Sequence, residues 1–299
     1  MVLPRRRLGR TNLEVTVLGM GGAGIGRGEV TDAEAIAAVH RAIELGINYL
    51  DTSPLYGESE RRVGLALKGG KREQIYLATK TGTHPKWLGD YSAEGTRRSV
   101  ENSLELLGTS YLDLCLVHDP GSMETVIAEG AAFDELQKMR SEGLIRYIGL
   151  GVRQHEFHQL AIELGVVDVI LTYLDYTLIQ QTAISLMKLA EENDVGIING
   201  SPIAMGLLSG VKPNPNTATD HIRRSEHQKA RQLWKLASDQ GLNLLDLAIQ
   251  FSVRQPLIGT ILTGSKNATE VEQNYRAATA EVPESVWQGL SDLIHSLPV

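Results

Sequence analysis

Four residues suited to moving protons stand at or just past the ends of successive apolar runs. Asp51 closes the run Asn48–Asp51, Lys80 follows Ile75–Thr79, and His118 follows Leu112–Val117. Past Asp51, in Asp51-Thr52-Ser53-Pro54-Leu55-Tyr56-Gly57, a Pro and a Gly bracket Tyr56 on a tight loop that could fold it back over the others. An ammonium beside a phenol favours the phenolate and draws a pKa of about 10 toward the working range, and an Asp paired to that Lys fixes its position. His118 is then left to hydrogen-bond a substrate oxygen. Taken singly, each residue has an ordinary explanation, as a helix cap, a turn residue or a surface charge. All of them at consecutive strand ends are much harder to explain that way.

Strand ends converge only if the strands share a sheet, so the elements must carry that requirement. Short apolar runs recur at Val15–Met20, Asn48–Asp51, Ile75–Thr79, Leu112–Val117, Tyr147–Leu150, Val169–Thr172, Gly196–Asn199 and Gly259–Leu262, eight in all. Helical periodicity lies between them, at Asp32–Leu45, Glu94–Leu107, Phe133–Glu142, His155–Leu164, Thr182–Asn193, Glu226–Gln240 and Val271–Ala277. Continuous rather than alternating apolar runs fit strands buried on both faces, and eight strand–helix units predict an α/β fold, a single (β/α)8 TIM barrel over residues 1–299. The segment Leu8–Val15, with Gly9 and Asn12, is expected to form an N-terminal β-hairpin closing the barrel's bottom, with Arg5–Arg7 as a solvated strand of it. Val286–Leu297 is expected to add a C-terminal helix. Gly210–Asp220 reads as a mobile active-site loop and not as a domain boundary.

A length of 299 residues alone leaves one or two domains open, and 42% hydrophobic with 22% charged residues excludes a disordered chain. The net charge of -7 argues against nucleic-acid or anionic-membrane partners, which would want an excess of Lys and Arg. The single cysteine, Cys115, forms no intrachain disulfide, and the N-terminus lacks the apolar centre of a secretory peptide, so a cytoplasmic location is the default. Cys115 and His118 lie three apart on one strand and point to opposite faces, which excludes a nucleophile pair. His155 and His158 are expected on a solvated helix face, and no metal site is read from them.

Gly19-Met20-Gly21-Gly22-Ala23-Gly24 satisfies the G-x-G-x-x-G spacing of dinucleotide-binding turns, with Asp51 ending the next strand. That turn needs its third glycine at the helix start, whereas here Gly26, Arg27, Gly28 and Glu29 intervene before a Thr31 or Asp32 cap. A glycine loop over a barrel mouth fits better, and it implies close approach of the backbone to something there. For the substrate, the loops Thr81–Ser92 and Asp119–Thr125 and the segments after the fifth and sixth strands carry His84, Trp87, Asp119, Arg153, Asp175 and Tyr176. That mixture suits a sugar or another hydroxylated carbonyl compound; the same residues could equally be a polar loop surface.

The chain resembles the aldo-keto reductase superfamily over nearly its whole length. The matching pieces are Leu18-Gly19-Met20-Gly21, Asn48 to Gly57, Leu77-Ala78-Thr79-Lys80, Tyr111 to His118, Ile145-Arg146-Tyr147-Ile148-Gly149, Ser201-Pro202, Met205-Gly206-Leu207-Leu208, Gly264-Ser265 and Glu272-Gln273-Asn274. The resemblance implies a barrel that binds NAD(P)(H) in extended form without a Rossmann domain, and an oxidoreductase interconverting a carbonyl and an alcohol of a small molecule. Tyr56 would be the general acid/base, tuned by Lys80 and Asp51, with His118 orienting the carbonyl. Gly21, Gly22, Ala23, Asp51, Ser201, Ile203, Met205, Gly206, Leu207, Gly264, Ser265, Lys266, Glu270, Gln273 and Asn274 would hold the cofactor. Tyr56, His84, Trp87, His118, Asp119 and Arg153 would meet the substrate.

Departures from the commonest family pattern, such as Gly151-Val152-Arg153 where many members have Ser-Asn, resemble the branch containing aldose, galactose, fucose and pyridoxal dehydrogenases. Ser265 and Lys266 could grip an adenosine 2′-phosphate while Glu270 would repel it, so NAD against NADP stays open. The rival readings are a broad NADPH-dependent aldehyde reductase and a non-catalytic cofactor-sensing regulatory subunit. Loss of one of the four proton-handling residues would have favoured the regulatory subunit, and all four are present.

Overall fold

A computed structural model describes residues 2–214 and 224–296. Two short strands, β1 (Arg5–Arg7) and β2 (Glu14–Thr16), pair antiparallel as an N-terminal hairpin. Eight parallel strands then close into a barrel: β3 (Leu18–Gly21), β4 (Tyr49–Asp51), β5 (Tyr76–Thr81), β6 (Leu112–His118), β7 (Ile145–Gly151), β8 (Val169–Tyr173), β11 (Gly196–Gly200) and β12 (Thr260–Gly264), with the seam closed by β8 against β11 and β12 against β3. The two-residue strands β9 (Tyr176–Thr177) and β10 (Gln180–Gln181) form a separate small hairpin after β8.

The helices that clothe the barrel are α1 (Asp32–Glu44), α2 (Ser59–Ala66), α3 (Ala93–Leu107), α4 (Glu124–Ile127), α5 (Ala132–Ser141), α6 (His155–Glu163), α7 (Ile184–Glu192), α8 (Arg224–Asp239), α9 (Leu244–Val253), α10 (Ala268–Ala278) and α11 (Glu284–Ser296). Local signals start them where expected. Thr31 and Glu34 make a reciprocal capping box on α1, and Ser92 accepts the Gly95 N–H at the start of α3.

Strand side chains alternate between two buried surroundings. On β6, Leu114 and Leu116 point into the barrel while Cys115 and Val117 face the helices, so Cys115 and His118 do lie on opposite faces. Inside the barrel, Tyr49, Ala78, Leu114, Leu116, Val169, Leu171, Ile198 and Leu262 pack together with Leu8, Leu13 and Val15 of the hairpin. The hairpin therefore plugs the N-terminal end. Side chains at Gly196 and Gly259 would place a Cβ 2.8 Å from Leu8, which explains why both positions lack one.

Several expectations need correction. The run Val15–Met20 is two strands, with Glu14–Thr16 in the hairpin and Leu18–Gly21 in the barrel. Arg6 is not a solvated strand residue: it is half-buried and donates to the carbonyls of Gln255, Ile258 and Val253, the last two at 2.7 and 2.6 Å, tying the hairpin to the end of α9. Helices α2, α4 and α9 are additions to the expected set; α9 is apolar almost all round, so it has no polar stripe to betray its period. Of the loop Gly210–Asp220, residues from Pro215 onward lie outside the described residues, and Gly210 accepts a 3.1 Å bond from Trp234 Nε1. Among the described residues no helix is long and apolar enough to cross a membrane.

Candidate active site

The barrel order divides the rim at the strand C-termini into three arcs. Loops after β11, β12 and β3 are neighbours and carry the residues expected to hold a nucleotide. Strands β4, β5 and β6 come next and carry Asp51, Lys80 and His118. Strands β6, β7 and β8 complete the ring with Asp119, Arg153 and Tyr173 at or just beyond their ends.

The expected four residues meet in the middle arc. The Lys80 ammonium is fully buried, ion-paired with Asp51 Oδ1, and donates 2.8 Å to the Thr52 carbonyl. It lies 4.8 Å from the centre of the Tyr56 ring. Burial disfavours the charged Lys80 amine, but Asp51 and Tyr56 outweigh it and raise its pKa, so the amine is charged at neutral pH. For Asp51 burial pushes the carboxyl up and Lys80 opposes it, and its Oδ2 has no hydrogen-bond partner. Tyr56 departs from the expected direction: burial pushes its phenol above the usual range, and Lys80 offsets this only in part. In the protein alone, Tyr56 is a protonated acid.

His118 faces Tyr56 edge-on, with ring centres 6.1 Å apart. Burial first, and Lys80 second, hold its pKa well below the ordinary histidine value, so the imidazole is neutral. Nδ1 sits 2.7 Å from Thr83 Oγ1, and Nε2 lies 3.4 Å from Asp119 Oδ2. A carboxylate can only accept, so that neighbour favours the tautomer with the proton on Nε2, and Thr83 then donates to Nδ1. Tyr91 donates 2.7 Å to the His118 carbonyl and pins the strand end. Thr83, Tyr91 and Tyr173 escape a reading of the sequence alone, because a hydroxyl beside an imidazole leaves no periodic trace; for Tyr173 the available signal is its place directly after the sixth apolar run.

In the nucleotide arc the glycines approach the chain's own neighbouring loops. A Cβ on Gly24 would sit 2.4 Å from the Ser265 carbonyl and one on Gly26 1.7 Å from that of Tyr56. Gly22 donates 2.7 Å to the Asp51 carbonyl, and Arg62 of α2 gathers the carbonyls of Ile25, Arg27 and Val30. Past β11 the backbone is in the left-handed region at Ser201, Ala204 and Met205, and Ile203 and Leu207 turn toward the interior while Met205 is exposed. Nothing would obstruct a Cβ at Gly206, and at Gly264 the nearest atom is 3.9 Å away, so the rim is open at both.

Lys266 is not the free cation that the sequence suggests. Its Nζ lies 3.3 Å from Glu29 of the glycine loop, and its backbone N–H donates 2.8 Å to Glu270. Asn274 turns inward to donate 3.1 Å to Ser265 Oγ, while Gln273 is exposed. Glu29 gives no sign of this role in the sequence, because its partner stands far away along the chain.

The residues expected to meet the substrate lie in differing surroundings. Arg153 Nε donates 3.1 Å to Asp175, a buried carboxylate that also takes Thr172 Oγ1 at 2.7 Å and His155 Nε2 at 3.0 Å. A cleft of about 340 Å³ is lined by Asp119, Arg153, Gln154 and Tyr173. His84 stacks on Trp87 at 4.0 Å on the lip, with Arg98 over the same indole. Tyr176 belongs to the core instead, stacked 5.0 Å from Phe251. The solvated-face reading of His155 and His158 is also overturned: His158 is fully buried, 2.8 Å from the Val152 carbonyl, and burial drives its pKa to about 4.

Relatives carry the same frame. The aldo/keto reductase family's sequence profile matches residues 17–295. The L-galactose dehydrogenase of Arabidopsis thaliana is 33% identical over 286 residues, covering 92% of this chain and 88% of that one. A D-threo-aldose 1-dehydrogenase from a Pseudomonas species is 28% identical over 310 residues, covering 94% of each. Among solved structures, the holo form of an aldo-keto reductase from Bacillus halodurans superposes with a TM-score of 0.83 at 26% identity, over 97% of this chain and 96% of that one. A profile spanning all eight barrel strands, on a rim with Asp51, Lys80, Tyr56 and His118 gathered in one arc, leaves no ambiguity of kinship: the chain belongs to the aldo/keto reductase family.

Proposed function

We propose that the protein is an NAD(P)(H)-dependent oxidoreductase that interconverts the carbonyl and alcohol forms of a small polar compound, a sugar or similar molecule, with Tyr56 as general acid/base. The observation that carries this reading is the buried Lys80 ammonium, clamped by Asp51 and Thr52 and set 4.8 Å from the Tyr56 ring, with neutral His118 across from it.

When bound along the loops after β11, β12 and β3, a nicotinamide dinucleotide would supply or accept the hydride. The open rim at Gly206 and Gly264 and the exposed Met205 fit an elongated ligand there. In reduction, the Tyr56 hydroxyl would donate to the carbonyl oxygen, and the His118 Nε2–H, whose Asp119 neighbour lies at a long 3.4 Å, would donate to it as well. Tyr56 gives that oxygen its proton as the carbon gains the hydride, and Lys80 stabilises the phenolate left behind. Asp51 keeps Lys80 charged and in place, and buried walls keep water from competing. In oxidation the phenolate takes the alcohol's proton and the same groups run in reverse.

Tyr56→Phe tests the assignment. Turnover should fall by about 10²–10⁴-fold, the usual worth of a positioned acid/base, while NADH or NADPH still quenches protein fluorescence. Undiminished turnover in that variant would refute the role. The similarity to the L-galactose and D-threo-aldose dehydrogenases supports a sugar as substrate.

A further inference from the structure

Ser59 is the first residue of α2, a helix whose N-terminus has no side-chain cap. A serine at a helix start often caps the exposed N–H groups, but this hydroxyl turns inward. It lies 2.9 Å from the Gly22 carbonyl and 2.7 Å from Thr52 Oγ1. A carbonyl only accepts, so the single Ser59 proton goes to Gly22 and Thr52 donates to Ser59. The chain of hydroxyls therefore runs in one direction, and both residues are fully buried. Further contacts make Ser59 a junction. The Thr52 carbonyl receives the Lys80 ammonium at 2.8 Å, the Ser59 N–H donates 3.1 Å to the Tyr56 carbonyl, and the Gly22 N–H donates 2.7 Å to the Asp51 carbonyl. Glycine at position 22 leaves room for the hydroxyl, since a Cβ there would lie 2.5 Å from Ser59 Oγ.

We propose that Ser59 is a positioning residue for the Lys80–Tyr56 pair, tying the glycine loop to the carbonyl that holds Lys80 and to the turn that carries Tyr56. The inference rests on the hydride-transfer reading and adds to it a buried residue that acts only through others. Lys80 is held by Asp51 and by the Thr52 carbonyl, and Ser59 reaches both residues, the first through Gly22 and the second through the Thr52 side chain. Without the Ser59 hydroxyl, Thr52 Oγ1 loses its acceptor and the Gly22 carbonyl its side-chain donor, in a place that water does not reach. The Asp51–Thr52 backbone then loses its brace. Small displacements of reacting groups are costly in rate, by about 10²-fold for 1 Å. The charged and titratable groups facing the Tyr56 phenol are Asp51 on β4, Lys80 on β5, His118 and Asp119 at the end of β6 and just past it, and Tyr173 on β8. Lys80 is the one cation among them, so a loosened Lys80 weakens the phenolate more than the phenol.

Ser59→Ala and Thr52→Val, the second nearly isosteric, remove the two hydroxyls one at a time. In reduction of glyceraldehyde, with NADH and NADPH each supplied, either variant should lower kcat about tenfold while KM for glyceraldehyde stays within about twofold. In oxidation of glycerol with NAD and NADP, the rise of rate with pH should move up by about one unit, since a tenfold weaker hold on the phenolate is one pKa unit. The double variant should lose little more than either single one, because the two hydroxyls act as one chain. In protein labelled with 13C-tyrosine and free of cofactor, the Tyr56 Cζ resonance, assigned by its absence from Tyr56→Phe, should begin to titrate at higher pH in both variants. If Ser59→Ala fails to fold, Thr52→Val decides. Variants that merely melt earlier, with the wild-type kcat, pH profile and resonance, would overturn the positioning role and leave hydride transfer standing, and so would fully additive losses. A wild type that turns over neither compound would count against hydride transfer, while the resonance would still decide the role of Ser59.

Discussion

Tyr56 works against its own surroundings, and that conflict has a measurable sign. Burial raises its phenol pKa and Lys80 pulls it down, so the proton stays on at neutral pH. Reduction needs that proton and should be nearly flat from about pH 6 to 9, whereas oxidation needs the phenolate and should climb with pH across the same range. Lys80→Met should push the oxidative rise to still higher pH; initial rates in both directions would reveal it, and an oxidative rate indifferent to pH would contradict the assignment. His158 offers a stability counterpart. Buried and neutral, with a pKa of about 4 against 6.5 for the free side chain, it binds its proton more readily in the unfolded chain. Its contribution is full above about pH 6.5 and fades, by on the order of 3 kcal/mol, as pH falls toward 4. Urea titrations should show that decline, and His158→Gln should flatten it. At this scale the sequence is legible where residue type alone implies chemistry, as for Asp51, Lys80 and His118. It misleads for His158 and Lys266, whose surroundings come from chain segments distant in sequence.

The glycine loop after β3 shows how an element can matter more than its motif. Its glycines fit against Ser265 and Tyr56, and Arg62 binds its carbonyls, so the loop is packed tightly between the nucleotide arc and the Tyr56 turn. Gly26→Ala would drive a methyl into the Tyr56 carbonyl, and turnover should fall at least tenfold through displacement of that turn; a variant of unchanged activity would show the contact yields freely. The same loop presents Glu29 to Lys266. With Glu270 on the backbone N–H, two carboxylates flank Lys266, where the proposed placement of the nucleotide would bring a 2′-phosphate that needs positive charge. NADH should therefore bind more tightly than NADPH, and Glu29→Gln should narrow the gap several-fold in fluorescence titrations. Equal affinities in the wild type would mean that Lys266 and Ser265 prevail. Strand positions are readable from apolar runs, because a parallel barrel buries both faces. The loop's role is not, since nothing in Gly24 or Gly26 says which neighbour they must admit.

Across the whole molecule, stability and chemistry occupy opposite ends. The hairpin closes the bottom through Leu8, fully buried against Gly196 and Gly259, far from every residue assigned to the mouth. Leu8→Ala should cost roughly 3 kcal/mol in chemical denaturation while leaving kcat/KM within about twofold below the melting range. A large loss of activity without loss of stability would show the two ends to be coupled. The rim also gains something from being a ring. An open sheet of eight strands in this order would leave its outermost members about 34 Å apart at the usual strand spacing, with the loops proposed to hold a nucleotide at one margin and Asp119, Arg153 and Tyr173 at the other. The β8–β11 pairing, with Leu174 N–H bonded to the Gly200 carbonyl, makes those margins adjacent. Closure thus turns a linear arrangement of three tasks into one where each borders the other two, and a donor and an acceptor bound by distant stretches of chain can meet over the same tyrosine.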